Sequence, residues 1–330
     1  MRVTSLSPLQ HRPNSAGDLQ RVEASLRDAA TTQDDFLTEV ASHLIPAGGK
    51  RLRPAMVIAA SLSHNDDGAG ENAVTEEMIR GGVAVELVHL GSLYHDDVMD
   101  EAETRRGIEA VNSRWGNLVA ILAGDFLLAK ASELAASLGT EVAELLAATI
   151  GHLCEGQVRE LQLIYDVDRN ESGYLEAIGG KTAALFATSC RIGALVAGCD
   201  RTAVEQLTQY GYAYGMAFQI VDDILDLVAT DEELGKPSGN DLREGVYTLP
   251  VIRMIKANDP VKELLGAPLS TEERDFARSL VVNGKEIATS IETAREYAEE
   301  ALEAISGFPT TIGTLGLRSA AANLLSALDR

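Results

Sequence analysis

Asp96, Asp97 and Asp100 form a D-D-x-x-D pattern at the end of an apolar, helix-like run, and Asp222, Asp223 and Asp226 repeat it in QIVDDILDL. On a helix turning about 100° per residue, Asp96 and Asp100 lie roughly 40° apart on one face, so their carboxylates can converge on one ion. Three acids so close repel one another unless a cation sits among them. An all-oxygen site without cysteine is hard, and Mg2+ is its natural metal, because it typically takes one or two carboxylates plus substrate phosphates and waters. With 21 aspartates in the chain, chance supplies the pattern about 0.1 times. Two copies therefore point to chemistry. Asp34-Asp35 and Asp66-Asp67 have Thr38 and Gly70 at the fifth position, and read as solvated surface.

The net charge of −22 argues against a nucleic-acid partner, which would need a basic face. Local clusters of Lys and Arg are then informative. The loop Gly48-Gly49-Lys50-Arg51-Leu52-Arg53-Pro54 can bring backbone N–H groups and two clamping cations, Lys50 and Arg53, to an anion at a helix start. Arg105 and Arg106 follow the first aspartate cluster, Lys181 and Thr182 follow Gly180, and Lys236 lies between Gly235 and Pro237. Taken singly, each also reads as an ordinary basic turn or surface ion-pair patch. Together with two acid clusters they fit a diphosphate held through Mg2+.

Glu86 and His89 form an E-x-x-H unit, as in di-iron bundles. A second unit is missing, because Thr149 stands three places before His152. His89 falls about 20° from Asp96 around the same helix, which places it on the same cavity; the alternative is a satisfied, half-buried histidine.

The elements that must position these residues are helices. Long runs rich in Ala, Leu and Glu are separated by short Gly, Pro, Asn or Asp breaks, the pattern of a helical bundle. The spacing predicts helices at Asp18–Ala30, Asp34–Leu44, Pro54–Ser63, Thr75–Met99, Asn112–Leu138, Glu141–Ile164, Gly173–Ala197, Thr202–Val228 and Pro250–Ala257, with several more after Pro260. Most are expected to exceed about 20 residues, or about 30 Å, which favours a single all-α domain over residues 17–330 behind a disordered lead-in, 1–16. The three cysteines, Cys154, Cys190 and Cys199, lack metal-ligand spacing, so buried free thiols in a reducing cytoplasm are expected. No signal-peptide core is evident. The longest apolar stretch, Leu118 to Leu128, is interrupted by Asp125.

The ordered set GGKRLRP, ELVHLGSLYHDDVMDEAETRRG, GKT, FQIVDDILD, GKPSGNDLREG and TLP resembles the trans-isoprenyl diphosphate synthases, or polyprenyl synthetases, over roughly Gly48 to Pro250. The resemblance implies an all-α isoprenoid-synthase bundle around a deep central cavity, a homodimer, and about two or three Mg2+ ions. The implied reaction ionises an allylic diphosphate, joins the carbocation to isopentenyl diphosphate and releases a proton. Asp96, Asp97, Asp100, Asp222, Asp223 and Asp226 would then hold Mg2+ and the allylic diphosphate. Lys50, Arg53, His89 and Arg106 would bind isopentenyl diphosphate, and Arg105, Lys181, Thr182, Gln219 and Lys236 the allylic diphosphate. The residues implied in catalysis are Asp96, Asp97, Asp100, Lys181, Asp222 and Asp223. Val246 departs from the lysine that many members carry there, so that position cannot supply a diphosphate contact. A cytoplasmic enzyme that touches a membrane peripherally to release its product is expected.

In this family the residues four and five places before the first aspartate form part of the product-cavity floor. Here they are Ser92 and Gly91, and upstream lie Leu87, Val88, Ala84 and Val85, none aromatic. An open floor implies an all-trans product of about C30 to C50, each helical turn of about 5.4 Å matching one isoprene unit. The rival readings are a short-chain synthase making about C15 to C20, a terpene cyclase and a non-catalytic helical partner. The cyclase reading is disfavoured because DDILD does not fit a cyclase's second metal motif, and the partner reading because both acid clusters are intact.

Overall fold

The structure is a computed structural model that describes residues 7–64, 73–230, 238–257 and 261–328. Helices α1 (Ser15–Ala30), α2 (Asp35–Ser42), α3 (Leu52–Ser61) and α4 (Glu76–Met99) lead to a short hairpin, β1 (Thr104–Arg105) and β2 (Ile108–Glu109). There follow α5 (Val111–Trp115), α6 (Asn117–Ser137), α7 (Thr140–Gln162), α8 (Glu171–Ile178), a single π turn (Gly179–Ala183), α9 (Ala184–Val196) and α10 (Arg201–Val228). The remainder comprises α11 (Asn240–Glu244), α12 (Leu249–Lys256), α13 (Val261–Leu264), α14 (Thr271–Asn283), α15 (Glu286–Ala304) and α16 (Ile312–Leu324), with a last 3-10 turn at Leu325–Ala327. The all-α expectation holds; among the described residues the hairpin supplies the β structure.

Helix starts follow local chemistry. Thr75 accepts from the Met78 amide, Asn170 from that of Gly173 and Asp200 from that of Ala203, each satisfying a donor that the first turn leaves open. Asp34, half of an acidic pair read as solvated surface, caps α2 by accepting from the Leu37 amide; Asp66-Asp67 lies outside the described residues. Three helix expectations change. Gly116, at φ 88°, splits the expected Asn112–Leu138 helix into α5 and α6. The Gly173–Ala197 stretch is two helices joined by the π turn. Among the described residues, helices of 20 residues or more are α4, α6, α7 and α10 rather than the majority.

The core has two apolar clusters, and α10 contributes to both: Val204, Leu207, Tyr210 and Tyr214 to one, Met216, Ile220, Ile224 and Leu227 to the other. Helix α4 packs against α6, α3, α1 and α9, and α10 against α9 and α15, so each aspartate motif ends a deeply packed helix. The disordered lead-in is corrected for residues 7–16. Leu9 is buried in the core, Arg12 pairs with the buried Asp18, and α1 already starts at Ser15. Pro8 also packs against Gly316, and the His11 ring and the Ser319 hydroxyl hydrogen-bond at 2.7 Å, so the segment is tied to α16.

Candidate active site

A cavity of about 940 Å³ opens between α4, α7, α10 and the turn before α3. Its walls include Lys50, Arg53, His89, Ser92, Asp96, Arg106, Lys181, Thr182, Gln219 and Asp222. The sequence-based site residues thus divide into those that face this space and those that stand behind it.

The basic wall starts at the Gly48–Pro54 turn. Arg51, at φ 47°, is sunk beneath it, donating to Glu86 at 2.8 Å, to Glu23 at 2.5 Å and to the Ile45 carbonyl at 3.1 Å. This satisfied cation holds the turn in place. Arg53, beside it, lies with its Cζ 4.7 Å from the centre of the Phe186 ring, and its Nε has no partner. Burial pushes the Arg53 guanidinium down to about 10, and nearby Arg106 acts in the same direction against Glu86. Arg106 comes from the hairpin turn, where Arg106 (φ 53°) and Gly107 (φ 78°) both take the left-handed conformation that a two-residue hairpin of this kind needs. Its guanidinium donates to the Gly48 carbonyl, tying the hairpin to the basic turn. Half-buried His89 is held well below its usual range by burial and by Arg53, Arg106, Arg51 and Arg105, so it stays neutral. Several cations facing one space, with one orphaned donor, call for an anion.

The acidic wall separates by helical phase. Asp96 lines the cavity and Asp100 is exposed one turn on, at the end of α4. Burial pushes the Asp96 carboxyl up to about 6, Lys181 opposing and Asp100 adding to the rise. Asp97 points elsewhere. It is fully buried, does not line the cavity, and accepts from Arg105 Nε at 2.7 Å. Arg105 turns its Nε and Nη2 to Asp97 and does not line the cavity either. On α10, Asp222 lines the cavity, whereas Asp223 is buried and accepts from the Tyr174 hydroxyl at 2.6 Å and from Gln219 Nε2 at 2.7 Å. Asp226, also buried, accepts from the Asp241 amide at 3.3 Å, and its carbonyl from the Gly239 amide at 2.8 Å.

Lys181 and Thr182 reach the cavity because the π turn adds a residue to its helical turn, a device common at functional sites. The turn is pressed on α7: a Cβ on Gly156 would meet the Lys181 amide nitrogen at 2.5 Å. Lys181 pairs with Glu160; burial lowers the ammonium's pKa, but Glu160, Asp96 and Asp100 raise it to a net increase. Thr182 donates to Gln219 Oε1 at 2.7 Å. Lys236 lies outside the described residues.

Gly91 does not line the cavity. A Cβ there would lie 3.0 Å from the Gly124 carbonyl and 3.2 Å from Leu128 Cγ, so Gly91 is the point at which α4 touches α6. Ser92 does line the cavity. Sequence reasoning missed Glu160, Tyr174 and the α7 face formed by Leu153, Cys154, Gln157, Val158 and Leu161. The available signal was Gln157, a polar residue set in that helical stripe. Cys154, expected to be buried, is exposed in the cavity wall, while Cys190 is buried.

The carboxylates suit Mg2+. The donors are all oxygen, and among the described residues no three acidic, His or Cys side chains gather tightly enough to hold an ion alone. An ion completed by one or two of these carboxylates, substrate oxygens and water is the usual Mg2+ arrangement.

Residues 34–280 match the family model described as Polyprenyl synthetase. The chain is 38% identical over 304 residues to the nonaprenyl diphosphate synthase of Mycobacterium tuberculosis, covering 90% of this chain and 88% of that one. It is 38% identical over 296 residues to heptaprenyl diphosphate synthase component 2 of Geobacillus stearothermophilus, covering 88% and 90%. Among solved structures, a polyprenyl synthase from Caulobacter crescentus, complexed with calcium and isoprenyl diphosphate, superposes with a TM-score of 0.88 at 34% identity over 98% of both chains. A cavity with a cationic wall facing paired carboxylates, on an all-α bundle, thus coincides with similarity along nearly the whole chain: the protein belongs to the polyprenyl synthetase family.

Proposed function

We propose that this chain is an all-trans-polyprenyl diphosphate synthase that condenses isopentenyl diphosphate onto an allylic diphosphate, making a product of about C30 to C50. The observation that carries the reading is the single 940 Å³ cavity with a cationic wall, a carboxylate wall and an apolar side lined by Leu93, Leu153 and Phe218. Lys50, Arg53 and Arg106, with neutral His89 as a further donor, bind the isopentenyl diphosphate. Asp96 and Asp100 on one side, and Asp222 and Asp226 on the other, hold about two or three Mg2+ ions; the bound metal neutralises the charge that collects on the leaving diphosphate. Lys181, Thr182 and Gln219 orient that diphosphate. The allylic C–O bond breaks with its electron pair leaving on oxygen, the isopentenyl double bond attacks the allylic carbon, and a proton passes to the departing diphosphate. The apolar wall keeps water from the carbocation.

Asp97 and Asp223 serve this site from behind by holding Arg105 and Gln219. Helix α6 leaves Leu118 78% and Leu122 65% exposed, with Ile121 beside them, an apolar stripe that suits a second copy of the chain. Among the described residues no helix is long and apolar enough to cross a membrane. We place the enzyme in a reducing cytoplasm, where three free thiols persist, with peripheral membrane contact for product release. The test is consumption of labelled isopentenyl diphosphate by purified protein: turnover is expected with Mg2+ and an allylic primer, and none with a chelator.

A further inference from the structure

Tyr174 stands outside the cavity on α8, and its role is fixed by what its hydroxyl touches. The ring is 2% exposed and packs under the Arg169 guanidinium, whose Cζ lies 5.6 Å from the ring centre. The hydroxyl donates to Asp223 Oδ2 at 2.6 Å. Gln219 Nε2 fills the other carboxylate oxygen at 2.7 Å, which turns Gln219 Oε1 toward Thr182, 2.7 Å away. Both Asp223 oxygens are therefore engaged by protein donors in a buried setting, and two of the four side chains in the chain, Gln219 and Thr182, face the cavity. An amide can face either way; a carboxylate that only accepts selects one orientation. Remove the Tyr174 hydroxyl and Asp223 Oδ2 is bare, the carboxylate is free to turn, and Gln219 loses its anchor.

We propose that Tyr174, acting through Asp223, is a positioning residue that sets the orientation of Gln219 and Thr182 for the allylic diphosphate, a relay that begins outside the cavity. This rests on the prenyl-synthase reading above. It also makes Asp223 a positioning residue rather than a metal ligand.

The test uses the full chain. Tyr174→Phe is expected to raise KM for the allylic diphosphate about tenfold, as loss of one buried hydrogen bond to a charged group predicts, and to leave KM for isopentenyl diphosphate within about twofold. Calorimetric binding of an unreactive thiolo analogue of the allylic diphosphate is expected to weaken by the same factor without any turnover. In a Gln219→Ala background the substitution is expected to add nothing, because the side chain it positions is gone. An unchanged allylic KM, an equal rise in both KM values, or full additivity with Gln219→Ala overturns the proposal. If Tyr174→Phe does not fold, Asp223→Asn, which keeps the shape, is held to the same outcomes. Failure of the wild-type chain to turn over or bind the analogue would instead defeat the prenyl-synthase reading, whereas an active wild type matched by its variants defeats the relay alone.

Discussion

A Cβ on Gly91 would lie 3.0 Å from the carbonyl oxygen of Gly124, so α4 and α6 meet backbone to backbone beneath the first aspartate motif. The neighbouring Ser92 faces the cavity instead, so adjacent residues have unrelated duties. Gly91→Ala is expected to cost about 1 to 3 kcal/mol by overpacking and to leave product length unchanged. Ser92→Phe is expected to shorten the product by one or two isoprene units, about a helical turn each. Denaturation midpoints and product chromatography check the two outcomes, and a length change in Gly91→Ala would contradict the assignment.

Arg51 and Arg53 are two residues apart and are expected to fail differently. Arg51 is 3% exposed at its side chain and paired with Glu86 at 2%, so Arg51→Ala strips a buried carboxylate of its hydrogen-bonded cation and is expected to cost about 3 to 5 kcal/mol of stability. Arg53 has an orphaned Nε, lies over the Phe186 ring, and feels Glu86 and Arg106 in opposite directions. Arg53→Ala is expected to leave stability within about 1 kcal/mol and to raise KM for isopentenyl diphosphate at least about tenfold. Urea titrations and substrate kinetics on both variants separate these results.

His89 is expected to stay uncharged well below its ordinary value of 6.5, because burial and surrounding arginines oppose protonation. The sign follows: as pH falls below about 6.5, the unfolded chain takes up a proton that the folded one refuses, so this residue's contribution lowers stability toward acid. A diphosphate bound among those arginines is expected to raise the His89 pKa and draw in protons. Two-dimensional NMR of the imidazole with and without isopentenyl diphosphate measures both, and an imidazole titrating normally in the free protein would contradict the burial argument.

Asp96 and Asp97 are adjacent in sequence and face different partners, the cavity and Arg105. Asp96→Ala is expected to cut kcat by about two to three orders of magnitude, the scale of lost transition-state electrostatics. Asp97→Asn keeps an acceptor for Arg105 and is expected to cost less than about tenfold. Equal losses in the two variants would show that Asp97 also serves the metal.

The division between Asp96 and Asp97 was within reach of helical phase, since a step of about 100° carries the second acid off the first one's face. The all-α bundle and most helix ends were legible for the same reason, because period and caps are local. The packing of Gly91 was not legible, because its neighbour Gly124 belongs to another helix and nothing local distinguishes a packing glycine from a permissive floor. The π turn escaped because GGKTA satisfies a helical period with or without one more residue. Tyr174 and Glu160 escaped because their partners are 49 and 21 residues away, and neither carries a motif of its own. Packed residues 7–16 were missed because one buried leucine in a polar stretch leaves no periodicity.

The most direct measurement is the chain length of the product formed by purified protein, Mg2+, farnesyl diphosphate and labelled isopentenyl diphosphate. A distribution centred on about C30 to C50, abolished by Asp96→Ala, is the expected result. No elongated product, or a distribution stopping at about C20, would contradict the account.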